Sequence, residues 1–420
     1  MPPSANSTTH NPSLGPTSLP ASSRTAQGLP TAARRVLALL GRLQTGTLTL
    51  TGPDGVDRVF GTHEGPHASI ALHQWEVCAQ VLKSGDIGFA EGYMDGHWTT
   101  PDLAALLRLL IVNRRQLEDA VYGHWIGRLA YRLKHLLNRN TRHNSRKNIH
   151  AHYDLGNAFY ELWLDGTMNY SSAWFEGDPS RDMAEAQTAK VRRALRMAGV
   201  EPGDRVLEIG CGWGAVAEAA TRDFGAHLTG VTLSTEQLAF AKARMNWNGT
   251  AALSDLRLQD YRDISDGPYD AIVSIEMIEA VGQEYWPTYF QSVARLLKPG
   301  GRACIQSITI DDALFERYLQ STDFIQQYIF PGGCLPSPSE FRRQAQAAGL
   351  QVVDELAFGP DYAETLRRWR EAFTDQLEQV RTLGFDERFI RLWTFYLAYC
   401  EAAFDERNID VVQFTLARPA

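Results

Sequence analysis

Three glycines at alternate positions, Gly210-Cys-Gly-Trp-Gly214, follow directly on the β-forming run Val206-Leu-Glu-Ile209. Glycine tolerates positive φ and carries no Cβ, so such a turn lets a ligand lie against the backbone and reach the start of the next helix. Glu208 stands just ahead of the turn, and Gln259-Asp260-Tyr261 closes a later strand pattern. Two carboxylates at the carboxyl edge of the sheet suit the polar and cationic parts of a nucleoside-derived cofactor. Dinucleotide folds show Gly-x-Gly-x-x-Gly and an acid closing the second strand to hold a ribose; here that strand ends Gly230-Val-Thr-Leu-Ser234 with no acid. A nicotinamide-dependent dehydrogenase is therefore disfavoured, and the constellation reads as a site for S-adenosylmethionine. Cys211, between two glycines of the turn, is explained by its small size and not by nucleophilic catalysis.

The elements that must position these residues alternate strand and helix beyond residue 185, as a parallel sheet with crossover helices requires. Strands are expected at 205–209, 227–232, 256–259, 271–275 and 302–307, then at 350–356 and 410–416. Between the last two lie helical stretches at about 361–382 and 386–405, which would roof the carboxyl edge of the sheet, where ligands bind in open α/β folds. The expected fold is α/β, a class I (Rossmann-like) domain with a helical roof. At 420 residues the chain exceeds one ordinary core of ~100–200. Residues 1–31, rich in Ser, Thr, Pro and Ala, read as a disordered tail, and 32–120 as a small α+β domain opening with a helix and a hairpin at 46–55. Residues 151–420 form the cofactor-binding domain.

The segment between, 121–150, has a composition of its own. From Asp119 to Asp154 there is no acid, but seven Lys or Arg and five His, and Trp125, Leu129, Leu133, Leu136 and Leu137 recur at helical spacing. It reads as a basic amphipathic linker helix, lying either on a domain or against anionic phospholipid headgroups. The net charge of −8 argues against wholesale binding of nucleic acid. No apolar run reaches the ~18–20 residues of a membrane span. Five scattered cysteines give neither a disulfide framework nor a metal knuckle, so a reducing cytoplasm is expected, and no metal.

Several long motifs occur in order: His152-Tyr-Asp-Leu-Gly-Asn157, Met168-Asn-Tyr-Ser-Ser-Ala173, Glu208 to Gly214, Glu276-Met-Ile-Glu-Ala-Val-Gly282 and Tyr328-Ile-Phe-Pro-Gly-Gly-Cys-Leu-Pro336. Together they resemble the cyclopropane-fatty-acyl-phospholipid synthases and the related mycolic acid cyclopropane synthases. Residues 32–120 resemble, more weakly, the small lipid-binding amino-terminal domain of the phospholipid enzymes. The resemblance implies methyl transfer from S-adenosylmethionine to a cis double bond of a phospholipid acyl chain, then deprotonation and ring closure, by a protein held peripherally at the inner face of the membrane. It also implies dimerisation through the first domain. Tyr170 and Ser171 would touch the methionine end of the cofactor; Gly210, Cys211, Gly212 and Gly214 would form its turn. Thr232, Leu233 and Gln237 would flank the ribose, Asp260 and Tyr261 the adenine, and Ile275 would lie beneath. Family members hold a bicarbonate as base; Glu279 matches the carboxylate supporting it and Tyr362 its tyrosine ligand.

Two departures fall in that bicarbonate pocket. Ser172 stands where many synthases have cysteine, and Gln306, in Gln306-Ser-Ile308, where they have histidine; Ile308 belongs to the same group. Glutamine donates hydrogen bonds but cannot carry a proton as histidine does. This opens an alternative outcome, a methylene- or methyl-branched unsaturated chain. A different class, a non-enzymatic lipid-binding protein, would need only the first domain and the basic segment. Tyr153, Tyr160, Trp163, Trp174 and Phe175 are ordinary core candidates, some of which would form the acyl tunnel in a lipid enzyme. The loop Pro331 to Pro336 either stops a helix or gates the substrate.

Overall fold

The structure, a computed structural model, describes residues 28–62, 64–117 and 155–420. The basic segment 121–150, with His152 and Tyr153, and nearly all of the expected tail lie outside the described residues.

The first unit opens with the helix Thr31–Leu40 and strand β1 (Thr47–Thr51), which turns back into β2 (Asp57–Gly61) as an antiparallel hairpin. Strands β3 (His67–Leu72) and β4 (Trp98–Thr99) complete a four-stranded sheet of order β2-β1-β3-β4. Period-two alternation buries Leu48 and Leu50 while Thr49 and Thr51 face outward. Helices Glu76–Ser84, Asp86–Met94 and Leu103–Val112 cover the buried face. The last reads Leu-Ala-Ala-Leu-Leu-Arg-Leu-Leu-Ile-Val, apolar nearly all round, so the sheet cannot satisfy it alone.

The second unit is a seven-stranded sheet: β5 (Arg205–Ile209), β6 (His227–Thr232), β7 (Ser254–Leu258), β8 (Tyr269–Ile275), β9 (Leu297–Ile310), β10 (Gln351–Ala357) and β11 (Ile409–Ala417), in the order β10-β11-β9-β8-β5-β6-β7. Strands β5 to β9 pair in parallel, and β11 runs antiparallel between β9 and β10. From β5 the chain travels outward through β6 and β7, then returns to place β8 on the other side. The order therefore reverses beside β5, and that switch point is where an open α/β sheet leaves a crevice.

Between β10 and β11 the chain inserts Gly359–Asp375, Leu377–Thr382 and Glu387–Asp405. The expected single stretch 361–382 is broken at Gln376, whose φ of −106° leaves the helical region. The inserted helices join the two units. Glu387–Asp405 packs on the helices Asp86–Met94 and Leu103–Val112, and Phe395 meets the stacked pair Phe89 and Trp98 edge-on. One hydrophobic core thus runs from Leu48 and Ile70 through Phe395 to Trp369.

Candidate active site

The glycine turn forms as its composition requires. Gly210, Gly212 and Gly214 have φ of +91°, +47° and +86°, and the N–H groups of Gly210 and Cys211 both donate to the Val231 carbonyl. A pocket of ≈170 Å³ opens over it, lined by Tyr170, Ser171, Glu208, Gly210, Cys211, Gly212, Thr232, Leu233, Gln237, Asp260, Tyr261 and Ile275. Gly214 is the exception and corrects the expectation: it does not line the pocket, and a Cβ there would meet Ala241 at 3.0 Å, so it serves helix packing. A Cβ on Gly212 would meet no protein atom within 4 Å. Glu208 is buried, its Oε2 has no hydrogen-bond partner, and burial pushes its carboxyl up to about 8 against the opposing charges of Arg244 and Lys190. A bare glycine cradle and an orphaned acid suit a ligand bringing hydroxyl or ammonium donors. Asp260 holds the far edge with both oxygens engaged by Arg262, at 2.8 and 2.5 Å. The Cys211 thiol is pushed up strongly by burial, which leaves no thiolate for catalysis.

Just past β8 stands a residue to which the sequence reading gave no role. Glu276 has φ +49°, a left-handed conformation unusual for glutamate, and its carboxylate collects three donors. Oε1 accepts from the Ser172 N–H at 2.9 Å and Gln306 Nε2 at 2.7 Å; Oε2 accepts from the Tyr362 hydroxyl at 2.6 Å. These are the groups expected to hold bicarbonate. These three donors are satisfied here by a carboxylate of the chain itself, and the remaining two of the expected group, Glu279 and Ile308, bond to each other. Ser172 contributes only its backbone N–H, because its hydroxyl donates to the Ala173 carbonyl. Glu279 accepts from the Ile308 N–H, its other oxygen is buried without a partner, and burial together with the charge of Glu276 pushes it up to about 8. Burial also raises Glu276, but the charge of Lys190 and the hydrogen bonds from Tyr362, Ser172 and Gln306 oppose this, whereas Glu279 has the charge of Glu276 acting on it in the same direction as burial.

Two further buried groups escaped the sequence reading. Gln187 and Lys190, one turn apart on the helix Met183–Met197, are both fully buried and both reach Ser171: Gln187 Nε2 donates to its carbonyl at 2.8 Å and Lys190 Nζ to its hydroxyl. The sequence signal was polar residues at positions whose neighbours Ala186, Val191 and Ala194 face the core.

Tyr170, Glu276 and Ala280 also wall a second cavity, of ≈420 Å³. Its lining is drawn from both units: Leu40, Leu48, Ile70 and Val77 from the first, and Ile308, Tyr362, Tyr396 and Phe404 from the second. The loop Pro331 to Leu335 lies along it and is tied to Glu279 by the Cys334 N–H, which donates to the Glu279 carbonyl. Tyr160, Trp163 and Phe175 are core residues and, with Trp174, do not line it; aromatic side chains that do include Tyr170, Phe330, Phe395 and Tyr396.

A parallel sheet with a glycine turn at its switch point, an acid before the turn and a helical roof define a class I S-adenosylmethionine-dependent methyltransferase. The chain belongs to the family described as mycolic acid cyclopropane synthetase, which it matches over residues 140–414. The tuberculostearic acid methyltransferase UfaA1 of Mycobacterium tuberculosis (strain ATCC 25618 / H37Rv) is 39% identical over 411 residues, 95% of each chain. The cyclopropane-fatty-acyl-phospholipid synthase of Escherichia coli (strain K12) is 34% identical over 352 residues, 84% of this chain and 88% of that one. Mycolic acid cyclopropane synthase CmaA1, solved with SAH and CTAB, superposes with a TM-score of 0.61 at 33% identity, covering 65% of this chain and 98% of that one. Members of this family transfer methyl groups from S-adenosylmethionine to lipids.

Proposed function

We propose that the protein methylates a cis double bond in a phospholipid acyl chain, and that Glu276 takes the proton which completes the reaction. The observation that carries this reading is the place of Glu276, an acid with three hydrogen-bond donors in the wall shared by the cofactor pocket and the apolar cavity. S-adenosylmethionine supplies an electrophilic methyl. An alkene is a weak nucleophile, so the protein's work is to align it, exclude water and shelter the cation that forms. The mostly apolar cavity would hold the acyl chain, Tyr170 would stand at the junction, and Glu276 would face the cation as counter-charge. The alkene π pair makes the new C–C bond and leaves a cation on the neighbouring carbon.

Two fates follow. If a proton leaves the new methyl at once, the C–H pair closes a cyclopropane. If a hydride first shifts from the methylated carbon to its neighbour, the cation moves to the methylated carbon, the proton then leaves the methyl, and the pair makes a methylene branch, CH2=C, on the open chain. Three hydrogen bonds offset part of the burial that raises Glu276, and Gln306 cannot relay a proton, so deprotonation is slowed relative to the shift. We therefore assign the methylene-branched outcome, which also agrees with a relative over 95% of the chain that is named for methyl transfer. Mass spectrometry of fatty esters from an alkene-containing host expressing the protein tests the reading. One added CH2 with the double bond retained supports it; the same gain with unsaturation lost means a ring, and unchanged lipids refute methylation.

A further inference from the structure

Gln306 can serve Glu276 only if its amide points the right way, and that direction is set by residues remote from the reacting atoms. Gln306 Nε2 donates to Glu276, while its Oε1 accepts from Gln413 Nε2 at 3.0 Å. Gln413 lies directly opposite Gln306 in the β9–β11 register, and both side chains are fully buried. Gln413 Oε1 in turn accepts from Arg193 Nη1 at 2.7 Å, and its Nε2 also donates to the Lys190 carbonyl at 3.2 Å. A guanidinium has only donors and a carbonyl only lone pairs, so neither end of the Gln413 amide can be exchanged. That polarity passes to Gln306, whose flipped amide would set its oxygen against the Glu276 carboxylate and its NH2 against that of Gln413. Arg193 is itself held by Asp354 at 2.8 Å.

We propose that Arg193 and Gln413 are positioning residues that fix Gln306 as a donor to Glu276, so that the carboxylate stands ready to accept the proton. The inference rests on the role given to Glu276 above. It explains a glutamine pair buried in the centre of a sheet where apolar residues would pack at lower cost, and an arginine aimed at the inner glutamine. Lys190 enters the same circuit twice, through its carbonyl on Gln413 and through its ammonium on Ser171, whose neighbour Ser172 donates to Glu276. The titratable groups facing Glu276 are Lys190 on the helix Met183–Met197, Tyr362 on the roof and Glu279 on the turn after β8. None of them is altered in the test.

The test compares pH–rate profiles of Gln413→Met, Arg193→Met and Arg193→Lys with the wild type, together with affinity for S-adenosylhomocysteine. In the first two the acid limb should move up by about one to two pH units, the contribution of a hydrogen bond to a charged group, with affinity unchanged. Arg193→Lys, which keeps a donor, should hold the wild-type limb. An unmoved limb in folded Gln413→Met overturns the proposal. Infrared spectra of the wild-type protein give a second readout that needs no turnover and no stable variant of the relay. A protonated-carboxyl band that disappears in Glu276→Gln should be missing from the wild type at neutral pH, and its presence there overturns the proposal too. A wild type that methylates no lipid refutes the catalytic reading instead, and the infrared result still decides the relay.

Discussion

Replacing Glu276 by glutamine removes one charge and little else. The amide oxygen can still accept from the Ser172 N–H and Gln306 Nε2, and the new amino group faces the Tyr362 hydroxyl, which can accept as well as donate. Folding and cofactor affinity should therefore be unchanged, while the proton acceptor is gone. A positioned general base is worth roughly 10²–10⁴-fold, about 2.7–5.4 kcal/mol, so labelled-methyl incorporation into lipid should fall by that factor in single-turnover assays. Glu276→Gly sharpens the test. At φ +49° glycine is relieved of a left-handed strain of about 1–2 kcal/mol, and it vacates a carboxylate-sized space still facing all three donors. Added bicarbonate should then restore turnover in Glu276→Gly and leave Glu276→Gln inactive. Wild-type rates in Glu276→Gln, or a folded, cofactor-binding Glu276→Gly that ignores bicarbonate, would refute the reasoning.

Three further outcomes are expected. Gly212→Val projects a side chain into the cofactor pocket, and calorimetry on the folded variant should show S-adenosylhomocysteine weakened by about tenfold or more, ~1.4 kcal/mol, with the melting temperature also lowered by a left-handed strain of about 1–2 kcal/mol. Ile70→Trp fills the part of the acyl cavity supplied by the first unit; competition between acyl lengths should shift about tenfold or more towards shorter chains, and an unshifted ratio means that this unit does not bound the acyl site. Asp86, which accepts from the Phe324 N–H and the Tyr399 hydroxyl across the two units, is pushed up to about 7 by burial and by Asp323. Because its folded value lies above the ordinary 3.8, its contribution is full below 3.8 and is lost as pH rises through 7. Asp86→Asn should therefore gain melting temperature relative to the wild type from about pH 4 to about 7, with no further gain above that, and a constant difference would contradict the sign.

The cofactor side of the site was legible because its chemistry is local. Positive φ and a missing Cβ dictate glycine at 210 and 212, and the strand before the turn fixes where Glu208 points. Gly214 misled because a glycine needed for close packing on Ala241 has the same letter as one needed for a ligand. Glu276 was hidden for a different reason. It lies three residues from Glu279 in one motif, and only the convergence of Ser172, Gln306 and Tyr362, from three distant stretches, shows which acid receives the donors. The second cavity was equally unreadable, since Ile70 and Tyr396 come to line it together through the roof and not through any sequence pattern. Gln413 and Gln306 read as polar residues in strands, and nothing short of the register places them opposite one another.

The central claim, that Glu276 removes a proton from the newly added methyl after the cation has moved, is tested most directly with S-adenosylmethionine carrying a trideuterated methyl and a monounsaturated phospholipid. The account predicts a product that keeps its double bond and two of the three deuterons. A product that keeps all three deuterons places the lost proton on the acyl chain and contradicts it.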